Sequence, residues 1–232
     1  MLKTLTASRC LAGLGLGICL LQAVAQPAFD IPGGGGPFHL HTLSQKAARF
    51  AATVRQQYDF SCGSAAVATL LSFHYGMPTR EQAAFDEMFA HGDQARIRTE
   101  GFSLLDLKRF LATRGFEADG FELPLEKLAE AHIPAIVLIA ENGFNHFVVV
   151  KGLREGRVLI GDPIGGTRVV ARPRFDALWK SRLLFVIHNR QARAVFNDIA
   201  EWNRVPRAPL ASGISRNGLE LLTLPRLGPN EL

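Results

Sequence analysis

The sequence predicts an α+β domain in which N-terminal helices pack on a C-terminal antiparallel sheet. Apolar residues recur at helical spacing between residues 62 and 131, whereas residues 133–188 hold short β-branched runs separated by Gly, Asn and Pro. Helices first and strands afterwards are typical of an α+β domain. The composition agrees with a packed globular protein, because 47% of the 232 residues are hydrophobic and 20% are charged.

The helical half contains four predicted helices. The first begins at Cys62 and ends before Gly76, and the second begins at Thr79, an N-cap residue with Gln82 at the capping-box position. A third helix follows the N-cap Ser103, and a short fourth helix covers 125–131. The strand half contains five predicted strands, at 133–140, 147–152, 158–161, 167–171 and 183–188.

The ends of the chain are predicted to lie outside this domain. Residues 1–25 combine a basic start, an apolar core and a small-x-small motif, which indicates a secretory signal peptide cleaved before Gln26. Residues 26–49 form a flexible Pro/Gly-rich lead-in, and residues 50–190 form the domain. The extension, 191–232, has one amphipathic helix between Ala192 and Trp202, which either covers the domain's own sheet or docks a substrate. An exported chain of this kind is expected in the periplasm.

Cleavage of the signal peptide leaves Cys62 as the single cysteine of the exported chain. A lone thiol is either buried and inert or kept for chemistry. The Gly-Ser-Ala sequence that follows Cys62 leaves room for a substrate backbone, and the positive end of a helix dipole favours the thiolate. We therefore expect Cys62 to be a nucleophile whose pKa is below that of a free cysteine.

A nucleophilic cysteine needs a base, and His146 is the candidate among seven histidines. It lies between a turn-like segment, 141–143, and a predicted strand, where an imidazole is held firmly beside a cleft. If the strands at 147–152 and 158–161 pair as a hairpin, Asp162 comes near His146 and can orient the imidazole. The alternative is that Asp162 only caps the turn before a proline.

An oxyanion formed at Cys62 needs hydrogen-bond donors. Gln56 lies six residues before the cysteine, and its side-chain amide can act together with the Cys62 backbone N–H. Gln57 is the competing candidate, and the sequence does not separate the two.

Several motifs occur in one order along the domain. The string RQQYDFSCGSAA at 55–66 is followed by NHFVVVKG at 145–152, by LIGDPIGG at 159–166, and then by Phe175 and Trp179. In this order they resemble the double-glycine peptidases, family thirty-nine of the papain-clan cysteine peptidases.

The resemblance implies a papain-like fold and assigns site residues. Cys62, His146 and Asp162 fall on the family's Cys, His and Asp positions, and Gln56 falls on its oxyanion glutamine. It implies cleavage after small residues such as Gly-Gly or Gly-Ala. No transmembrane or ATPase segment follows the domain, so the chain resembles stand-alone exported members that serve functional-amyloid secretion. The expected partner is an exported polypeptide, with an amyloid subunit or an outer-membrane pore as candidates.

Two other functions remain open at this point. One is a non-cleaving substrate-binding or chaperone module of the same secretion system, and the other is a papain-like amidase or acyl transferase. No cofactor or metal is expected, because the potential ligands are too few and too dispersed for a zinc set. Nucleic acid is not an expected partner, since the net charge of +5 includes no run of basic residues.

Overall fold

The computed structural model describes residues 44–205 of the chain. The predicted signal peptide, the lead-in up to residue 43 and the end of the extension from residue 206 lie outside the described residues. Within 44–205, no helix is both long enough and apolar enough to span a membrane.

Helices dominate the first half of the described chain. A π-helical turn, Leu70–His74, continues α2, and a 3-10 turn, Gln191–Arg193, precedes the last helix. The α-helices are α1 (Gln45–Arg49), α2 (Cys62–Thr69), α3 (Glu81–His91), α4 (Gln94–Glu100), α5 (Leu104–Ala112), α6 (Glu126–Ala131), α7 (Arg172–Leu178) and α8 (Ile199–Arg204).

Six strands form one antiparallel sheet in the order β1-β6-β2-β3-β4-β5. They are β1 (Ala118–Glu122), β2 (Ala135–Glu141), β3 (Phe144–Arg154), β4 (Arg157–Asp162), β5 (Gly166–Ala171) and β6 (Leu183–Ile187). The pairing of β3 with β4 contains a β-bulge, because Val150 pairs with Ile160 while Gly152 pairs with Leu159.

Two apolar clusters bury the two faces of the sheet. Side chains of α2, α3 and α5 pack on the face that carries Ile136 and Val149. Side chains of α6 and α7 cover the other face, where Phe175 and Trp179 are almost fully buried. The predicted fold class, α+β with helices on an antiparallel sheet, is confirmed.

The sequence located the third helix better than the second. Ser103 caps α5 in a full capping box with Asp106, as predicted for an N-cap serine. The prediction of Thr79 as an N-cap is wrong: its hydroxyl donates to the Met77 carbonyl, and the helix begins at Glu81. The predicted 125–131 helix is observed with Glu126 as its first residue.

The extension differs from the predicted amphipathic helix. Within residues 191–205, the part of the extension that the structure describes, only Ile199–Arg204 is α-helical, because Asn197 has a positive φ of 60° and Asp198 caps a new helix by accepting from the Ala200 N–H. Trp202 is buried, whereas Ile199 is exposed.

Candidate active site

Cys62 is the first residue of α2, and the glycine after it allows the helix to approach its neighbours closely. A Cβ on Gly63 would lie 3.0 Å from the Phe102 Cβ and 3.1 Å from the Leu107 Cδ1, so a larger residue would require these neighbours to shift. The thiol itself is half-buried. The small residues after the cysteine therefore serve helix packing in addition to any role in admitting substrate.

The thiol environment contradicts one expectation from the sequence. Burial raises the pKa of Cys62, and the backbone N–H groups of Phe147, Gly63 and Cys62 offset this only in part. The negative charge of Asp162 acts in the same direction as burial. The expectation of a lowered thiol pKa is therefore wrong, because desolvation outweighs the helix start.

Strand β3 supplies His146 and strand β4 ends with Asp162. The Nε2 atom of His146 lies 3.5 Å from Oδ2 of Asp162, and the two side chains are 10% and 5% exposed. This separation is longer than a normal N–H···O hydrogen bond, so the two groups face each other without a short contact. The backbone N–H of Phe147, the residue after His146, contacts the Cys62 thiol, so this part of β3 lies beside the cysteine.

The Asp162 carboxylate is held from several directions. Its Oδ1 accepts from the backbone N–H groups of Ile164 (2.9 Å) and Gly165 (3.3 Å), which is the turn-capping role considered from sequence. Its Oδ2, which faces His146, also accepts from Nε of Arg168 at 3.1 Å. Burial would raise the pKa of Asp162, but the contacts with His146, Ile164 and Arg168 outweigh it and lower the pKa to about 2. Asp162 therefore contacts the N–H groups of the turn with one carboxylate oxygen and faces the imidazole with the other.

Arg168 and Glu141 complete this group, and the sequence analysis did not single them out. Arg168 lies on β5 opposite Ile160, and its Nη2 binds both Asp162 at 3.0 Å and Glu141, the last residue of β2. The sequence signal that could have identified Arg168 is its position as a single charged residue within the β-branched run of β5.

Three of these side chains could also bind a metal ion. Glu141, His146 and Asp162 each offer a ligand atom, and these atoms lie within 4.8 Å of one another. The guanidinium of Arg168 binds both carboxylates, so the chain supplies a cation at this position itself.

The two glutamines lie in the loop before α2. Gln56 donates from Nε2 to the carbonyls of Tyr58 (2.9 Å) and Asp59 (3.4 Å), while its buried Oε1 has no partner among the described residues. Gln57 is exposed, and both glutamines line the cavity at Cys62. In this conformation Gln56 stabilises its own loop, and donation to an oxyanion requires release of the long bond to Asp59.

Two cavities meet at Cys62. The first, which we call the Gly101 groove, has a volume of about 400 Å³ and runs over Phe102 and Asn145 toward β6. The second, which we call the His146 cavity, has a volume of about 800 Å³ and contains Gln56, His146 and Asp162. An extended chain that lies across the cysteine can therefore enter both.

A helix that begins at a half-buried cysteine and packs on an antiparallel sheet carrying His146 and Asp162 is the arrangement of a papain-like cysteine peptidase. The sequence model of the Peptidase C39 family matches residues 51–191. The chain belongs to the peptidase C39 family and is a cysteine peptidase. The resemblance to family thirty-nine of the papain clan is confirmed.

Two similar proteins are described as probable functional amyloid protease FapD. The protein from Pseudomonas aeruginosa is 39% identical over 168 residues, which covers 72% of this chain and 74% of that protein. The protein from Pseudomonas fluorescens is 36% identical over 177 residues, covering 73% and 78%. Among solved structures, the peptidase domain of Streptococcus ComA, a bifunctional ABC transporter, is 20% identical with a TM-score of 0.49, over 59% of this chain and 97% of that domain.

Proposed function

We propose that this chain is an endopeptidase in which Cys62 is the nucleophile, His146 the general base and acid, and Asp162 the residue that orients His146. The observation that carries the proposal is the geometry of one cavity: His146 Nε2 faces the Asp162 carboxylate, while the Phe147 N–H contacts the Cys62 thiol. With Nε2 directed to Asp162, Nδ1 is the nitrogen left for the thiol.

The raised pKa of Cys62 favours a neutral thiol before substrate binds. As Sγ attacks the scissile carbonyl carbon, His146 Nδ1 takes the thiol proton and the carbonyl electron pair moves to oxygen. The Cys62 backbone N–H and the Gln56 amide are the proposed donors to that oxyanion. Collapse breaks the C–N bond, and His146 passes the proton to the leaving amine.

The thioester that remains is hydrolysed in a second step. Water gives a proton to His146 Nδ1 as its oxygen attacks the thioester carbon, and the collapse releases a carboxylic acid and restores the thiol. Asp162 stays ionised throughout, because its pKa of about 2 lies far below neutral pH.

We also propose an exported polypeptide as substrate, cut after small residues such as Gly-Gly or Gly-Ala in the periplasm. The small-residue preference is supported by membership of the peptidase C39 family, because the motifs of this chain resemble those of the double-glycine peptidases. The description of the Pseudomonas relatives as probable functional amyloid proteases supports an amyloid subunit or its outer-membrane pore as substrate.

Mass spectrometry of the secreted polypeptides tests the proposal, with cells carrying wild type or Cys62→Ala. We expect a cleaved product with a small residue at its new C-terminus only in wild type, and purified Cys62→Ala to lose at least about a thousandfold in peptide cleavage. Equal product from both cells would refute the peptidase role. Retained substrate binding without cleavage by the wild type would instead support a binding module.

A further inference from the structure

Two large apolar side chains are exposed beside His146. Phe144 is 75% exposed and Ile164 is 60% exposed, and both line the His146 cavity. They come from different elements, the start of β3 and the loop between β4 and β5. Large apolar side chains at the mouth of a cavity are typical of a binding site. Their exposure to water is unfavourable, and a bound ligand removes that exposure.

The proposed chemistry fixes the direction in which a substrate runs through the site. His146 must reach the amine that leaves, since the imidazole donates its proton to that nitrogen. The leaving segment of the substrate therefore extends from Cys62 into the His146 cavity. The acyl segment runs the opposite way, into the Gly101 groove. Phe144 and Ile164 consequently lie on the leaving side of the cut.

Both apolar residues lie on the elements that carry the proposed catalytic groups. Ile164 donates its backbone N–H to Oδ1 of Asp162 at 2.9 Å. Phe144 pairs with Glu141 across the β2–β3 hairpin and lies two residues before His146, on the same face of the strand. Their positions relative to the reacting atoms are therefore preorganised, as a subsite requires.

We propose that Phe144 and Ile164 form a subsite for a large aliphatic or aromatic side chain within the first two residues of the leaving segment. This subsite rests on the proposed peptidase function and adds a second determinant to it. Small acyl-side residues provide little side-chain area for recognition, so an apolar contact on the leaving side supplies selectivity that the acyl side lacks.

The test compares two peptides that both have Gly-Gly before the scissile bond. The first two residues after this bond are Leu-Phe in one peptide and Ser-Ser in the other. We expect wild type to cleave the Leu-Phe peptide with a kcat/KM about tenfold higher or more. Phe144→Ser and Ile164→Asn should each reduce this preference. Ile199→Asn, at a position that is 55% exposed and outside both cavities, is the matched control and should keep it.

Binding to Cys62→Ala, measured by calorimetry, tests the subsite without turnover. Tighter binding of the Leu-Phe peptide, reduced by Phe144→Ser in the Cys62→Ala background, supports the subsite even if peptide cleavage is too slow to measure. Equal affinities for the two peptides overturn the subsite. Cleavage by wild type that does not discriminate between the peptides also overturns it, and leaves the peptidase function intact.

Discussion

Two polar clusters that contain the same three kinds of group lie at opposite ends of α2 and its π-helical continuation. Each contains a histidine, a carboxylate and a cation, but the pairing within them differs. The cluster beside the proposed nucleophile, which we call the catalytic-end cluster, consists of His146, Asp162 and Arg168, and the far-end cluster consists of His74, Glu201 and Lys151. The residue types are therefore insufficient to mark a catalytic site, and the difference lies in pairing and access.

The histidine has a different partner in each cluster. At the catalytic end, the imidazole faces the carboxylate and lies on a cavity. At the far end, Lys151 binds the Glu201 carboxylate, and both side chains are at most 4% exposed. His74 is left with the Val195 carbonyl, which lies 2.7 Å from its Nδ1. Its Nε2 has no partner among the described residues.

The pKa shifts show the same contrast. Desolvation lowers the pKa of His74 to about 3, and the charge of Lys151 adds to that effect. Desolvation also lowers the pKa of Lys151 and raises that of Glu201. At the catalytic end the contacts of Asp162 outweigh the effect of its burial, and they lower its pKa to about 2. The far end is thus a buried structural ion pair with a neutral histidine, whereas the catalytic end keeps its carboxylate ionised beside an imidazole.

Asp162→Asn should have the largest effect on activity. An amide in this position must direct its NH₂ either at the Ile164 and Gly165 N–H groups or at Arg168 and His146, and both sets are donors. We expect a loss of about 10² to 10⁴-fold in kcat/KM. Steady-state cleavage at a temperature where the variant stays folded measures it, and a loss below threefold would leave Asp162 with only its turn-capping role.

Glu201→Gln should act on stability instead. Removal of one partner leaves the Lys151 ammonium buried without its countercharge, so the free energy of unfolding should fall by about 3–5 kcal/mol. Chemical denaturation measures this, and kcat below the melting transition should stay near wild type. The double variant Lys151→Met/Glu201→Leu is the control, and we expect it to recover most of the loss.

Acid should destabilise the far end through His74. Its pKa is lowered from 6.5 to about 3 in the folded state, so unfolded chains bind a proton that the folded chain rejects. The stability present above pH 6.5 is therefore lost as the pH falls toward 3, by about 3 kcal/mol at pH 4. His74→Asn should flatten the pH dependence of the unfolding free energy in this window. An unchanged slope would contradict a neutral buried His74.

Arg168→Met should have the smallest of these effects. Arg168 is a positioning residue, since it holds the Asp162 oxygen that faces His146. We expect about a tenfold loss of kcat/KM, and a shift of the acid limb of the pH–rate profile to higher pH, because loss of a neighbouring cation favours the imidazolium. Arg168→Lys should recover part of the rate.

Arg174→Met is the matched control for this variant. Arg174 is 64% exposed and, among residues 44–205, forms an ion pair only with Glu141, at 3.5 Å, so its removal should leave both the rate and the pH profile unchanged. A loss of rate in Arg168→Met without any shift of the pH profile would reduce Arg168 to a structural contact.

The sequence predicted a helix or a strand correctly where residues close together in the chain determine it. Ser103 and Asp106 satisfy a capping box within one helical turn, and all five predicted strands were located within three residues at either end. Strand β1 escaped detection because its sequence, ADGFE, lacks β-branched residues and alternation. It forms by pairing with β6, which is 60 residues away in the chain.

The candidate site was predictable in part for the same reason. Cys62, His146 and Asp162 lie in motifs with local signals, and the structure brings the three into one cavity. The thiol pKa was not predictable, because burial depends on long-range packing. Arg168 and Glu141 were also missed, since they meet only when β5 and β2 reach the same end of the sheet.

The β-bulge between β3 and β4 determines which residues of the two strands lie on the same face of the hairpin. Lys151 is the extra residue, and beyond it Val149 pairs with Gly161. Continued by one residue, this register places Asp162 opposite Val148, on the strand face that also carries His146. If Lys151 instead paired with Ile160, every pair beyond it would shift by one residue, and Asp162 would fall opposite Val149 on the other face. The bulge therefore keeps the carboxylate and the imidazole on one face, and a deletion of Lys151, which leaves Val150 opposite Ile160, would preserve that arrangement.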